Sequence, residues 1–564
     1  MVTPVQRKLI NVPNSDAGKL QHLLTHYTRR NIDLALISHT ALGHQKAQDE
    51  QSNIGIMLEE PAQRLMKAYN NAKKQIENSA LSFSAFYSEP NRVNLYHRLL
   101  ANIPLSSVGF IGLNEKFHQS ILLCADWLST DLYRLPHNRI FMQSPRLPIK
   151  QTDLDAIKKL YTKDYAIYEQ AVAIFNKRWN KYQKRHAIPI ATGKKVFIHL
   201  GPPKTGTSAI QAWLHANGKA LAKEGIYYPE HGADVNGVSS GNFEHVISYE
   251  AKQGTHYFDL NKLRSLLSHF NNSDSRVLLL SSEHFFYYLL WFFSLVPDAQ
   301  YIFYIRHPLA LAESGFHQEV KRHDRTKNFR LSSPLGFTAL NLVEGMAKAF
   351  QAQVNFRYFD DSLYEGGSLL SDFAHTISSN VDVPSEVKKL NTQYSPGAVK
   401  LMMACNAFAT KTLRGDLDKF LQRYSENQPA FSFITEKQHA DTKYALIKEV
   451  HARQYNEYSP SKTHLLQLIE AYQPPESCSE ERQSEDLKNV LHALYRNNFA
   501  LVAKLYEEAR QNNVNSEAGV IVNRLKAYSS FSVKLLLYKA ATAGLSRLNI
   551  LPIFRKFVNM RKSK

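Results

Sequence analysis

The chain has 564 residues, a formal net charge of +19 and 44% hydrophobic residues. It is too long for one hydrophobic core and too apolar for a disordered chain, so about two to four folded domains are expected. The basic excess points to anionic partners, whether nucleic acid, acidic glycan, nucleotide or lipid surface, and three scattered cysteines in no metal-ligand spacing imply no disulfide framework or zinc site.

The opening stretch, MVTPVQRKLINVPNSD, has no apolar run of the signal-peptide kind, so a cytoplasmic location is the default expectation. Residues up to about 185 read as helix-rich and end in DLDAIKKLYTKDYAIYEQAVAIFNKRWNKYQKR, an amphipathic segment that turns basic. KRHAIPIATGKK, with Pro189 and Gly193, reads as a linker. The expected division is therefore 1–188, 189–400 and 401–564.

Beyond the linker the pattern alternates. A strand at Lys195–Leu200 leads to a helix over Thr207–Glu224, ended by Gly225, and ADVNGVSSGNFEH should be loop. A helix over Leu260–Phe270 precedes a strand over Arg276–Glu283, and a helix over Phe285–Phe293 stops before Pro297. The apolar run Phe285–Val296 falls short of the roughly 20 residues a bilayer span needs and reads as a buried helix. A strand ending at Arg306 is followed at once by a helix over Pro308–Arg322, a helix over Thr338–Ala352 and the strand VNFRYF. Apolar strands alternating with helices predict α/β architecture with a parallel central sheet covered on both faces. The loops after Leu200, Leu280 and Ile305 should then face one crevice. Residues beyond about 396 read as helical. The final SVKLLLYKAATAGLSRLNILPIFRKFVNMRKSK fits either a membrane-surface helix or a packed helix with a solvated basic tail.

The stretch VFIHLGPPKTGTSAIQAWL joins a strand, a tight turn and a helix start. Backbone N–H groups at such a start attract phosphate oxygens, and glycine lets a ligand come close. Lys204 adds a mobile positive charge, and Thr205, Thr207 and Ser208 add hydroxyls. A magnesium–nucleotide loop of the Walker type has its lysine after the last glycine. Here Lys204 precedes Gly206, and the neighbouring strand ends in Ser281-Ser282-Glu283 rather than a metal-holding Asp.

GPPKTGTSAIQ resembles the 5′-phosphosulfate loop of sulfotransferases that use 3′-phosphoadenosine 5′-phosphosulfate (PAPS). YIRHPLALAESGFH resembles that family's 3′-phosphate segment, with Arg306, Pro308 and Ser314 in the matching positions. Ser281-Ser282-Glu283 and FRYFDDSLYEGGSLLSDFA look most like the bacterial carbohydrate branch, and the likeness spans about residues 194–400. The resemblance implies a P-loop-type three-layer sandwich. It assigns cofactor binding to Gly201, Pro202, Pro203, Lys204, Thr205, Gly206, Thr207, Ser208, Arg306 and Ser314. Lys204 would also act in catalysis. The base would be Glu283, the first choice, or His245, with Glu244 and His231 behind them. No metal is expected.

NIGIMLEEPAQRLMKAYN (Asn53–Asn70) resembles the same 3′-phosphate segment, but Glu59 stands at the Arg position and Lys67 at the Ser position. Together with SSVGFIGLNEKFHQSILLCADWL and a histidine, His39, in LISHTALGH, it makes residues 1–188 look like a truncated, cofactor-free relative of the uronyl 2-O type. The implied activity is sulfuryl transfer from PAPS to a hydroxyl, less readily an amine, of an anionic saccharide or glycolipid, with peripheral membrane contact through the basic C-terminal stretch. No nucleic-acid module is seen. Two other readings stay open, a P-loop small-molecule kinase and a non-catalytic glycan-binding protein with a relic cofactor site.

Overall fold

The computed structural model describes residues 8–10, 35–38, 54–75, 81–100, 103–128, 133, 147–232, 239–252, 254–331, 335–384 and 393–511. The C-terminal basic stretch and His39 lie outside these residues.

The chain is mixed α/β around a parallel central sheet. Its strands are β5 (Lys195–His199), β6 (Ile226–Tyr227), β9 (Val277–Ser281), β10 (Gln300–Ile305) and β11 (Gln353–Tyr358), in the order β11-β10-β5-β9-β6. Every pairing in it is parallel. β9, β10 and β5 after Lys195 are buried and largely apolar because both of their faces are covered, while the edge strand β11 is polar and mostly exposed or half-buried. Val196, Ile198, Leu278, Leu280, Tyr301 and Phe303 belong to one core, shared with helices Leu260–Asn271, Leu289–Leu295 and Thr338–Phe350. Phe197, Leu279, Ile302 and Tyr304 belong to another, shared with helices Thr207–Ala216 and Leu369–Thr376.

In the N-terminal region, strands β1 (Lys8–Ile10), β2 (Ala35–Ser38), β3 (Ile54–Leu58) and β4 (Phe110–Leu113) form a second sheet in that order. β3 runs into a helix at Pro61–Gln75 and pairs in parallel with β4. The same hydrophobic cluster that covers the central sheet contains Ile56, Ile111, Ile121, Phe175 and Trp179. The 25-residue helix Thr162–His186 carries the last two, and Gln119 Nε2 donates to the Ala349 carbonyl at 2.6 Å. Beyond residue 393 the described chain is helical, and a separate cluster joins Leu401, Leu417, Leu491 and Val502 to Phe316 and Val320 of helix Pro308–Arg322.

Two expected elements differ in detail, and one element was not expected. The helix predicted over Thr207–Glu224 breaks at Asn217, whose Nδ2 and backbone N–H both donate to the Trp213 carbonyl, and restarts as Gly218–Lys223. The segment after Glu283 begins as a 3₁₀ turn, Glu283–Tyr288, before the regular helix Leu289–Leu295. The stretch after the predicted loop forms an antiparallel hairpin of β7 (Ile247–Glu250) and β8 (Thr255–Phe258). Leu289–Leu295 is wholly buried. Among the described residues no helix is long and apolar enough to cross a membrane.

Candidate functional site

β5 lies at the centre of the sheet, and the chain leaves it toward β6 and β9 on one side and β10 and β11 on the other. The carboxyl ends of β5 and β10 thus flank a topological switch point, where ligands of open parallel sheets gather. The loop at that point is Gly201–Gly206. Gly201 has φ +34°, and a β-carbon there would lie 2.4 Å from Thr207 Cγ2, so only glycine allows the turn. Lys204 has φ +74°, a left-handed backbone that costs a lysine about 1–3 kcal/mol and tends to cluster at functional sites.

Thr205 was expected to offer its hydroxyl to a ligand. It is buried instead, and its Oγ1 donates to the Pro202 carbonyl at 2.8 Å, which closes the loop on itself. The first helical hydrogen bonds run from the N–H groups of Ala209 and Ile210 to the Gly206 carbonyl. Among the described residues the N–H groups of Lys204, Thr205, Gly206, Thr207 and Ser208 have no acceptor. Five consecutive unspent donors at the start of a ten-residue helix make an anion cradle.

β10 pairs with β5 through Gln300↔Phe197, Tyr301↔Ile198 and Ile302↔His199. Arg306 follows the end of β10 and reaches across, where its Nη1 donates to the Lys204 carbonyl. Its guanidinium carbon lies 5.0 Å from the centre of the Phe359 ring. Burial lowers the affinity of Arg306 for its proton. The two segments, about a hundred residues apart in sequence, therefore share one cleft. His307 caps the next helix by accepting from the Leu309 N–H at 3.3 Å, and Pro308 takes its first turn. Ser314 is half-buried on that helix, and its hydroxyl has no partner among the described residues. An apolar cavity of about 190 Å³ adjoins Pro202 and Arg306 and is walled by Ile305, Leu311, Phe337 and Leu340. Two larger cavities, of 580 and 510 Å³, lie among the C-terminal helices and along β11, away from the loop.

On the other side of β5, the tip of β9 extends past its two-residue neighbour β6. Asn242 substitutes for the missing strand. Its Oδ1 accepts from the Ser281 N–H at 2.9 Å, its Nδ2 donates to the Leu279 carbonyl at 3.1 Å, and its N–H donates to the Ser281 carbonyl at 3.2 Å. Glu283 follows that tip. Its Cα lies 3.6 Å from a β-carbon built on Gly201, so it stands against the loop. Its carboxylate has no hydrogen-bond or ion-pair partner among the described residues. Burial lowers the pKa of Lys204, and the Glu283 charge opposes that shift while those of Arg306 and Arg322 reinforce it.

The structure thus gathers Lys204, Glu283 and Arg306. His245 Nε2 donates to the Glu230 carbonyl at 2.8 Å. His231 is tied between the Tyr228 hydroxyl at 2.8 Å and Ser239 Oγ at 2.6 Å. Glu244 is exposed, and its carbonyl accepts from Lys262 Nζ at 2.9 Å. The histidine beside Glu283 is His284, which sequence reasoning missed. Its ring centre lies 4.9 Å from that of Phe243 and 6.3 Å from that of His256. His317 and Lys321 were also missed, and the charge of Lys204 acts on both. Their only sequence signal is the four-residue spacing along helix Pro308–Arg322.

In the N-terminal unit the strand–Pro–helix arrangement recurs at β3 and Pro61. Glu59 there is paired with Lys67 Nζ and accepts from Asn114 Nδ2 at 2.6 Å. Among the described residues no group of three or more His, Cys, Asp and Glu is placed to hold a metal ion. Comparison with protein-family models, curated proteins and solved structures returned no match.

Proposed function

We propose that the cleft between β5 and β10 binds PAPS and that the chain transfers its sulfuryl group to a saccharide hydroxyl. The contact between Arg306 and the Lys204 carbonyl carries this reading, because it sets a cation beside five unspent backbone donors. A nucleotide with phosphates at two separated positions suits two such anion sites in one cleft. The sheet order, with β5 central and helices on both faces, is the one a P-loop-type three-layer sandwich would use.

The co-substrate supplies an activated sulfur–oxygen bond. The N–H groups of residues 204–208, with the Thr207 and Ser208 side chains, would hold the 5′-phosphate. Arg306 and Ser314 would hold the 3′-phosphate. Sulfuryl transfer resembles phosphoryl transfer in its loose, in-line transition state, so positioning and charge stabilisation dominate. Lys204 would stabilise the charge that grows on the leaving phosphate oxygens. Glu283, standing on the opposite side of the loop from Arg306, would take the proton of the attacking hydroxyl. The +19 net charge favours an anionic saccharide or glycolipid as acceptor.

The test is labelled sulfate transfer from PAPS to a glycan panel, with ATP and magnesium as a parallel arm. Lys204→Ala and Arg306→Ala should each lower kcat/KM by about 100- to 1,000-fold, the usual loss for one preorganised charge-stabilising donor. Phosphate transfer from ATP would replace this reading with a kinase. If adenosine 3′,5′-bisphosphate failed to raise the melting temperature of the wild type, the cleft would not be a PAPS site.

A further inference from the structure

In the β7–β8 hairpin Ile247 is paired with Phe258 and Tyr249 with His256, so these four side chains share one face. At the inner end Ile247 and Phe258 are buried in the core that covers the central sheet. One pair further out the face leaves that core, where Tyr249 is 58% exposed and His256 is exposed as well. Among the described residues the other exposed large hydrophobic side chains, Leu160 and Tyr444, are listed in no ring contact. Exposed apolar residues scattered singly need no explanation. Tyr249 is different, because it heads a continuous row of rings.

The row runs from the hairpin to the tip of β9. The Tyr249 and His256 ring centres are 5.0 Å apart, those of His256 and His284 6.3 Å, and Phe243 backs both histidines at 5.9 and 4.9 Å. Its inner end is fixed by the contacts that hold the strand tip. Phe243 follows Asn242, whose side chain bonds Ser281 and Leu279. His284 follows Glu283 directly, and its N–H donates to Ser282 Oγ at 3.1 Å. The hairpin is anchored where the Asp259 N–H donates to the Val246 carbonyl and Ser248 Oγ donates to the Asp259 carboxylate, each at 2.8 Å. The polar edges of the row are unspent: the Tyr249 hydroxyl and the imidazoles of His256 and His284 make no hydrogen bond among the described residues. Each neutral imidazole offers one donor and one acceptor.

A pyranose has an apolar C–H face and a rim of hydroxyls. Flat rings with free polar edges answer to both, as ligand sites built from aromatic walls and a few polar groups do. The row also stands on the right side of the loop. Arg306 reaches the loop from β10, whereas Glu283 and the rings lie on the β9 side. We propose that Tyr249, His256 and His284 form the acceptor subsite, where one pyranose ring of the saccharide stacks so that its neighbouring hydroxyl reaches Glu283. The inference rests on the sulfotransferase reading and adds how the acceptor is held, through the face of a sugar ring whatever its charge. The three side chains are specificity residues, and the transferred group is left to Lys204 and Glu283.

The full chain is compared with its Tyr249→Ala, Tyr249→Phe and His256→Ala variants, and with Tyr444→Ala as an exposed tyrosine outside the row. Adenosine 3′,5′-bisphosphate is followed by thermal shift, transfer from PAPS is measured to acidic galacturonate and neutral dextran oligosaccharides, and binding of the same oligosaccharides is followed by calorimetry. The nucleotide shift should be unchanged in all variants. Tyr249→Ala and His256→Ala should each raise KM by about five- to tenfold for acidic and neutral acceptors alike, as befits one lost stacking ring, with little change in kcat. Tyr249→Phe should keep most of the affinity, and Tyr444→Ala should change nothing. Unchanged KM in both alanine variants of the row would overturn the proposal. So would an effect confined to the acidic chains, which would mark a charge contact instead, and so would a lost nucleotide shift, which would place the rings on the nucleotide. A wild type with no nucleotide shift and no transfer would sink the parent reading alone. Calorimetry decides the subsite wherever transfer is absent: weaker oligosaccharide binding by Tyr249→Ala supports it, while unchanged binding, or none to the wild type, overturns it.

Discussion

At Gly206 a β-carbon would lie 2.2 Å from Leu369 Cδ2 and 2.8 Å from Phe359 Cε2, on a backbone with φ +77°. The leucine tip can move, but the Phe359 ring also supports the Arg306 guanidinium. Gly206→Ala should therefore destabilise the chain by about 1–3 kcal/mol in urea unfolding and weaken nucleotide binding as well. A variant with unchanged stability and unchanged adenosine 3′,5′-bisphosphate binding would show that neither the turn nor the ring is constrained. The residues of this loop and of the helix that follows β10 divide by how visible they were in the sequence. Lys204, Gly206 and Arg306 could be read because their signals are local, a glycine-punctuated turn after one strand and an arginine at the end of another. His317 and Lys321 could not. They sit on an ordinary amphipathic helix, and their surroundings arise only when Gln393, Tyr394 and Asp418 fold over it from the C-terminal region.

The same division holds for whole elements. β5, β9 and β10 were readable because both of their faces are buried, which leaves an uninterrupted apolar run. β6 has two residues and no such run, and the β7–β8 hairpin is largely exposed, so neither left a clear pattern. His245 lies in a polar loop whose path is set by distant contacts, and Glu230 captures it. That loop nevertheless has a function in the sheet, since Asn242 supplies the edge that the short β6 leaves open. Asn242 is fully buried. Asn242→Ala would leave the Ser281 N–H and the Leu279 carbonyl without these partners, at a cost of about 2–4 kcal/mol for two buried polar groups. Since the tip of β9 carries Glu283, sulfate transfer should fall in kcat while nucleotide binding is kept. Both quantities can be measured on one preparation, and a variant with normal kcat would separate the loop from the placement of Glu283.

At the scale of the molecule, four of the buried histidines among the described residues, His118, His199, His307 and His317, make stability depend on pH. Burial brings His118 down to about 4 and His199, His307 and His317 down to about 3. The folded chain keeps them neutral, while the unfolded chain takes up protons below about pH 6.5. Their contribution is complete above that value and is lost as pH falls toward the folded values, by about 1.4 kcal/mol per pH unit for each histidine. The urea midpoint should therefore drop clearly between pH 7.5 and 5.0, and a midpoint that stayed constant would contradict neutral, buried imidazoles. The histidines are spread across the units. His118 belongs to the N-terminal one and the others surround the cleft, while a continuous hydrophobic cluster joins the two regions.

Glu59 and Lys67 give this arrangement a use at the bench. A strand tip followed by a proline-started helix occurs twice in one polypeptide, once with an arginine and once with a carboxylate already neutralised from within. Any titration with a doubly phosphorylated nucleotide thus contains its own blank. One equivalent taken up per chain would mean that the acidic tip stays silent, and an experimenter could assign the signal to Arg306 without dividing the protein.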